Sequence, residues 1–513
     1  MKLLNGFAGE LEKNRTIWFV LFSIFYLLSV SLSAFRHLWY DELITYNVAI
    51  LPDLRAVWHA VTHGADLNPP LFPIANWLAT RVFGPGEFGV RVPGILGFLV
   101  LCFSLYVFVA RRAGACYGFA AMLLPMVTGA FQYASEARAY GLMLGFCGLA
   151  LVSWQRAAEG SGRIFSLFGL VAALSAALLT HCYALLVLVP FGIAQLVRDY
   201  RRRRMDWAMW SALVLPLSAC LTYLPLLASL QPYAMDNPVF RPTWHSLTDF
   251  YDFLLTPSLW PLVAGALIVA FAAAKRGDSS ADAAGSWKTE ETALALGFLA
   301  VPALAILIAA VLTHVFMLRY GLASVVAIAL LFTQSASTLT RRSRPVGAAL
   351  TLLLLGWSTA VSIHRIAMVM TASPEPAIAL NRRADLPLVI SSGVIYYELN
   401  HYAEPGLVDR LFYLTDAQTA RKMTGSDVFD RGFHDLDRMF PLRGNLEDYH
   451  VFLAAHPQFL VYGYEAHELD WLLPQLLRDG AQLLFLGQHQ EKFGRAALYE
   501  VRLSNSVVAR TVD

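Results

Sequence analysis

Apolar positions in this chain come in blocks far longer than a strand or a half-buried helix requires. A helix crossing the hydrocarbon core of a bilayer takes about 20 mostly apolar residues. Blocks of that kind fall at 17–35, 90–110, 114–131, 138–155, 164–180, 182–197, 207–229, 257–274, 291–313, 318–338 and 346–369. The pattern predicts eleven spans, the two that flank His181 also being readable as one re-entrant unit. From about residue 371 the pattern changes. Pro374, Pro376 and Pro387 bracket a linker, and short apolar runs then alternate with amphipathic ones. The runs at 386–391, 458–463, 481–487 and 496–503 read as strands, and 393–402, 446–455 and 465–479 as helices. That alternation predicts a small α/β domain.

The long loop between the first two spans has its own pattern. "LRAVWHAVTHG" and "PPLFPIANWLATRVFG" are amphipathic and predict helices lying at the membrane surface. Pro69 and Pro70 fix a rigid turn between them. The expected organisation is a membrane domain over 1–370, with a first outer loop at 36–89, and a separate domain over 371–513.

Composition agrees with the spans. Of the 513 residues, 57% are hydrophobic and 15% charged, and the mean hydropathy is +0.52. A soluble domain is nearer half apolar and a quarter charged, so the fold class is a polytopic α-helical membrane protein. The first apolar run lacks a small-residue cleavage site and is expected to remain as a span. All five cysteines lie in or beside apolar segments and none in the polar C-terminal stretch, so neither a disulfide framework nor a CxxC metal site is expected. The net charge of +2 points to no partner, and no long basic stripe suggests nucleic acid.

Charge position is more informative than net charge. One set of loop ends, including Arg111–Arg112 and Arg201–Arg204, holds 18 Lys and Arg. The opposite set holds 7 up to residue 319. Basic residues favour the cytoplasmic side, which puts the N-terminus inside and both the 36–89 loop and the C-terminal domain outside. The basic ends are expected to be anchors alone.

The outer side then collects the remaining chemistry. "WYDELITY" (39–46) brings Asp41 and Glu42, "HGADLNPP" (63–70) His63, Asp66 and Asn68, and "GEFGVRVPG" (86–94) Glu87 and Arg91. "QYASEARAY" adds Glu136, Arg138 and Tyr140, "THCY" His181, and "FMLRYGL" Arg319 and Tyr320. Taken singly, each has a plain structural reading. An Asp-Glu pair at a helix end is usually a cap with first-turn charge, interfacial arginines snorkel, and Glu87 with Arg91 has helical ion-pair spacing. Their gathering on one face argues for a site. Guanidinium groups beside a hydrophobic surface suit a phosphate on a lipid tail. A carboxylate suits a general base for an acceptor hydroxyl. In an extended segment adjacent side chains diverge, so one of Asp41 and Glu42 would do chemistry and the other position.

Together these motifs, in this order and with this topology, resemble the GT-C superfamily of membrane glycosyltransferases over roughly residues 15–370. The nearest branch is that of the dolichyl-phosphate-mannose–protein mannosyltransferases, with the lipid A aminoarabinose transferases as cousins. The resemblance implies an inverting transfer of a sugar from a polyprenyl-phosphate donor to a glycan, lipid or protein acceptor, in a bacterial inner membrane. It implies Asp41 as base and Glu42 as its orienting neighbour. Arg138, Tyr140, His181, Arg319 and Tyr320 would contact the donor, with Glu136 as a second carboxylate and His63, Asp66, Asn68, Glu87 and Arg91 in support. Asn68 departs from the family, whose members often carry His there. The metal ligands are unknown, and no cofactor is implied beyond an open question over a divalent metal. Two other readings stand beside this one, a lipid-linked-saccharide transporter or flippase and a non-catalytic envelope-assembly protein. The first would need polar groups at mid-membrane, and the second would not need the Asp-Glu pair.

Overall fold

A computed structural model of the chain describes residues 2–66, 68–230, 240–275, 287–371, 383–464 and 468–503. Residues 276–286, which include most of the polar loop near Ser279, and the linker at Pro374 and Pro376 fall outside these ranges, as does Leu67. The chain divides into two compact units. The first comprises Met1–Arg36, Val48–Ser229 and Pro242–Thr371, the second His37–Asn47, Leu230–Arg241 and Ala372–Asp513.

The first unit is helical. Among the described residues, eight of its helices are long and apolar enough to cross a membrane, and two bent pairs, Ala115–Val127 with Gly129–Ser135 and Thr289–Leu299 with Val301–Thr313, raise the number to ten if each pair is one span. The remaining predicted span, 138–155, is the helix Ala139–Glu159. Trp154, Gln155, Arg156 and Glu159 lower its hydropathy, and 14 of its 21 residues are buried. Its place is inside the bundle. The segments Arg163–Thr180 and Cys182–Arg202 are two separate spans, parted at His181. The two amphipathic segments of the first loop form helices, Leu54–Thr62 and Leu71–Phe83.

Glycines set how closely the two central helices meet. A Cβ on Gly141 would lie 2.6 Å from the Gly94 carbonyl oxygen, and one on Gly145 would lie 2.5 Å from that of Gly97. The helices Glu87–Ala113 and Ala139–Glu159 therefore pack backbone to backbone, as small residues allow in membranes. A Cβ on Gly94 would come within 2.9 Å of the Glu136 carbonyl oxygen, so the same seam holds the 134–138 segment against the first of these helices.

The opposite ends of these helices correct one expectation. The basic groups there are paired and not bare anchors. Arg112 donates through Nε to both carboxylate oxygens of Glu291 at 2.8 Å and reaches Glu159 at 2.5 Å. Arg163 and Arg198 share Asp206, at 2.5 and 2.8 Å. The spacing of single residues along the chain hides such pairs, because Arg112 and Glu291 meet only once the helices pack.

The second unit contains a six-stranded sheet of order β3-β2-β1-β4-β6-β5. Its strands are β1 (Leu388–Ile390), β2 (Leu411–Thr415), β3 (Asn445–Asp448), β4 (Gln458–Tyr464), β5 (Gln482–Glu491) and β6 (Gly494–Arg502). β3, β2, β1 and β4 are parallel, and β6 and β5 close the sheet antiparallel. The chain winds outward from β1 to β3 and then returns to the other side of β1, the order of a doubly wound sheet. β2 and β3 are additions to the expected strands. The expected helix at 446–455 is shorter, Tyr449–Ala455, because Asp448 caps it through the backbone N–H groups of His450 and Val451 and leaves the preceding residues to pair with β2. Of the expected helix at 465–479, Leu472–Arg478 forms, and 465–467 lie outside the described residues.

At the point where the winding reverses, the Ser391 hydroxyl donates to Asp470 at 2.5 Å. Burial pushes the Asp470 carboxyl up to about 7, with the serine acting in the opposite direction. Burial likewise pushes Asp430 up to about 7. A carboxyl whose folded value lies above its unfolded one keeps its proton in the native state while the unfolded chain has lost it. Stability therefore falls as pH rises from about 4 to about 7, by up to roughly 1.4 kcal/mol per pH unit for each group, and levels off above. The melting temperature of the second unit in the full-length protein should drop between pH 5 and pH 8. Asp470→Asn should flatten that slope, and an unchanged slope would count against the buried carboxyl as its source.

Candidate active site

The first unit gathers its candidate residues where helices break. Backbone at Glu136 (φ −105°, ψ 141°), Arg138 (φ −128°, ψ 154°) and His181 (φ −155°, ψ 134°) is extended between helical segments. Met317 is extended too, just before the 3-10 helix Leu318–Ser324 that carries Arg319 and Tyr320. Arg138 occupies the N-cap position of a 21-residue helix without a side-chain cap bond, and the helix dipole there adds to its positive charge.

Rings link these breaks. Tyr140 lies 4.8 Å from His181 and 5.2 Å from Tyr133, centroid to centroid. His181 lies 6.2 Å from Tyr320, and Tyr320 stacks on Tyr183 at 3.9 Å. His181 Nδ1 accepts the backbone N–H of Tyr183 at 3.2 Å, which puts the proton of a neutral ring on Nε2. Arg138 and Arg319 both act electrostatically on His181 and Tyr320, and Arg319 and Glu136 both act on Tyr133. Glu136, Arg138, Tyr140, His181, Arg319 and Tyr320 thus come together as one cationic, aromatic-walled cluster.

Three neighbours were not singled out in the sequence. Arg36 reaches Glu136 at 3.8 Å, Arg365 lies over the Phe131 ring at 4.8 Å within electrostatic range of Arg36, and Tyr183 completes the aromatic wall. Arg36 was visible only as a charge closing the first span, and Arg365 only as a polar residue inside the last one.

The supporting residues divide. Arg91 is fully buried and donates through Nη1 to the carbonyl oxygens of Ala34 (3.1 Å) and Arg36 (2.6 Å), tying the end of the first span to the next helix. Asp66 and Asn68 are buried, and Asp66 Oδ1 accepts both the backbone N–H (3.1 Å) and the Nδ2 (2.6 Å) of Asn68, an Asx turn ahead of the proline pair. Glu87 stands in the first turn of its helix. His63 is exposed, stacked on His59 at 3.9 Å with Nδ1 against the His59 carbonyl oxygen. Among the described residues no group of three or more His, Cys, Asp or Glu could hold a metal ion.

Asp41 and Glu42 belong to the second unit. They lie in the first turn of a helix, Tyr40–Ala49, and not on an extended loop. Two acids at that end complement the dipole, and Glu42 Oε2 accepts the Trp39 backbone N–H at 3.4 Å in the manner of a capping box. Neighbours on a helix point about 100° apart, so the two carboxylates still diverge. Glu42 is fully buried and Asp41 half-buried. The flanking aromatics hold the segment to the sheet domain. Tyr40 packs on Tyr397, Phe429 and Phe433, His37 stacks on Tyr402 at 4.0 Å, and the Leu38 N–H donates to the Tyr402 hydroxyl at 2.7 Å. Lys492 covers the Trp39 ring at 3.6 Å. Glu398, pushed up to about 7 by burial with Lys492 opposing, accepts the Tyr40 backbone N–H and acts on Glu42. No sequence motif pointed to Glu398, since it is remote in the chain.

The fold and this cluster define a multi-span membrane protein with a cationic site at one end of its helices. Solved structures share the fold. ArnT from Cupriavidus metallidurans in the apo state aligns with a TM-score of 0.56 at 14% identity, over 95% of this chain and 98% of that one. The same protein bound to undecaprenyl phosphate aligns with a TM-score of 0.52 at 14% identity, over 94% and 98%. The sequence model of the dolichyl-phosphate-mannose-protein mannosyltransferase family matches residues 67–225. That stretch includes the Glu136–Tyr140 and His181 motifs and excludes Asp41 and Arg319. No protein of curated function matches the chain in sequence. The resemblance to GT-C enzymes drawn from the motifs is borne out in fold and over this stretch.

Arg91 offers a check on the division of roles. Removing a buried guanidinium that satisfies two carbonyl groups should cost roughly 3 kcal/mol. Arg91→Met should lower the melting temperature of the purified protein. A melting temperature equal to that of the parent would show that Arg91 does not hold the helix ends together.

Proposed function

We propose that the chain is an inverting glycosyltransferase that moves a sugar from a polyprenyl-phosphate donor to an acceptor hydroxyl on the extracytoplasmic face of the membrane. The observation that carries this reading is the convergence of Arg138 and Arg319 on the Tyr140–His181–Tyr320 wall, from three separate helix breaks. Two guanidinium groups at the edge of an apolar bundle suit a phosphate diester whose tail stays in lipid. The likeness of fold to a protein solved with undecaprenyl phosphate supports that choice of donor. The excess of basic residues at the opposite loop ends, 18 against 7, supports the extracytoplasmic side, where sugar nucleotides are absent and a lipid carrier is the natural source.

In the proposed reaction the acceptor oxygen attacks the anomeric carbon while the bond from that carbon to the phosphate oxygen breaks. The lipid phosphate leaves with the electron pair. Arg138 and Arg319 balance its developing charge, so no acid has to protonate it. The acceptor proton passes to the Asp41 carboxylate, and a single displacement inverts the anomeric centre. Glu42, buried and spent on the helix start, supports a positioning role.

Asp41→Asn keeps the shape and removes the basicity. The purified variant should retain donor binding and turn over at least ~100-fold more slowly, the low end of general-base catalysis. Glu42→Gln should lose less, mainly in acceptor use. Near-normal turnover of Asp41→Asn would return the pair to a helix cap.

Arg319→Ala removes one charged donor from the phosphate, a loss on the order of 1.5–3 kcal/mol. Its apparent requirement for lipid donor should rise at least tenfold, in a protein that still folds. Unchanged donor dependence in a well-expressed variant would remove Arg319 from the donor site.

A further inference from the structure

The second unit holds a cavity of about 190 Å³ that the transfer chemistry above does not use. One wall is the helix that bears Asp41, through Leu43 and Asn47, and the others come from the helix Gly393–Tyr402 and the segment 440–443. Its polar groups are half spent. Asn47 Nδ2 donates to the Tyr397 hydroxyl oxygen at 2.7 Å. Asn400 Oδ1 accepts the backbone N–H groups of Arg443 and Gly444 at 2.8 and 2.9 Å. Asn400 is only 7% exposed, and among the described residues its amide nitrogen donates to no protein group, which leaves two N–H donors to the cavity it lines. The Tyr397 hydroxyl hydrogen and Asn47 Oδ1 are left over in the same way.

Arg443, the cationic side chain of the lining, is exposed and has three of its N–H donors spent on carbonyl groups. Arg443 donates through Nη1 to the carbonyl oxygens of Asn400 (3.3 Å) and His401 (2.8 Å) and through Nη2 to that of Ala403 (3.0 Å). What remains is a set of neutral donors and acceptors facing Phe440, Leu43 and Leu442. Neutral amides and a phenol beside an apolar face match the hydroxyls and C–H face of a sugar ring. A phosphate or carboxylate would meet a single, exposed counter-charge in Arg443, three of whose donors are already bonded. The volume is below the roughly 300–1,000 Å³ of drug-sized sites, room for one ring.

We propose that this cavity seats a single neutral sugar ring of the glycosyl acceptor. The acceptor role rests on the transferase reading, whereas the binding does not. A ring held here lies along the same helix as the proposed base, which would tie acceptor choice to the sheet domain.

The test is saturation-transfer NMR on the full-length protein in lipid nanodiscs, without donor. The probes are the methyl glycosides of glucose, mannose and galactose, with glucose 6-phosphate as the anionic control. At least one neutral glycoside should receive saturation and glucose 6-phosphate markedly less. Leu442→Trp, which fills the cavity without removing a hydrogen bond, should abolish the effect. Asn400→Asp, which keeps the acceptor oxygens and removes the free donors, should weaken binding roughly tenfold. Saturation of no neutral glycoside, equal saturation of the phosphate, or an effect unchanged in both variants would each overturn the proposal. Because the measurement needs neither donor nor turnover, absence of sugar transfer from a polyprenyl-phosphate donor by the parent protein would sink the transferase reading separately from this result.

Discussion

In hydrocarbon there is no water to satisfy backbone N–H and C=O groups, so a spanning chain must be helical except where protein or polar groups cover the gap. The clustered candidate residues of the first unit can be traced to that constraint. Glu136 and Arg138, His181, and Arg319 with Tyr320 sit at or beside three helix interruptions, each with a residue in extended conformation. An interruption is costly in a membrane protein, and three meeting at one cluster mark a place where the bundle trades backbone regularity for side-chain chemistry. The His181 side chain, which accepts the Tyr183 backbone N–H, satisfies part of what its break leaves open.

Close packing of the central helices makes this arrangement rigid. With no hydrophobic drive between helices in lipid, association depends on contact and small residues. Gly94, Gly97, Gly141 and Gly145 let the two backbones touch, and Gly94 brings that contact to the carbonyl of Glu136. The far ends of the same helices are bound differently. There Arg112, Glu159, Glu291, Arg198 and Asp206 form buried or half-buried pairs. A buried pair is poor evidence of net stability but a strong constraint on register, since separating the partners leaves a charge without compensation.

The second unit explains an oddity of the first loop. "WYDELITY" reads as a catalytic motif, yet most of its residues do structural work. Tyr40 packs into an aromatic group of the sheet domain, Trp39 lies under Lys492, Glu42 caps its own helix, and Asn47 bonds to Tyr397. Of the pair, Glu42 is fully buried and Asp41 half-buried. Glu398, buried beside the helix start, adds a third carboxyl to that neighbourhood.

The sequence by itself determined the class of the protein, because twenty-residue apolar blocks permit little other than spans, and the basic bias of alternate loops follows from how such chains insert. It also located the clustered residues Glu136, Arg138, Tyr140, His181, Arg319 and Tyr320, since charge and polarity next to an apolar block stand out against their background. Four of the six strands were legible as short apolar runs. β3 was not, because "NLED" carries one apolar residue and becomes a strand only by pairing with β2. Tertiary structure alone decided the partners. Arg36 with Glu136, Arg112 with Glu291 and Asp470 with Ser391 are 100, 179 and 79 residues apart, beyond the reach of any local pattern. It also decided the fate of Arg91, whose motif suggested a site residue and whose guanidinium reaches two carbonyl oxygens at the end of the first span. Periodicity and composition register the medium around a residue, whereas pairing depends on which helix faces meet, a property of the packed chain.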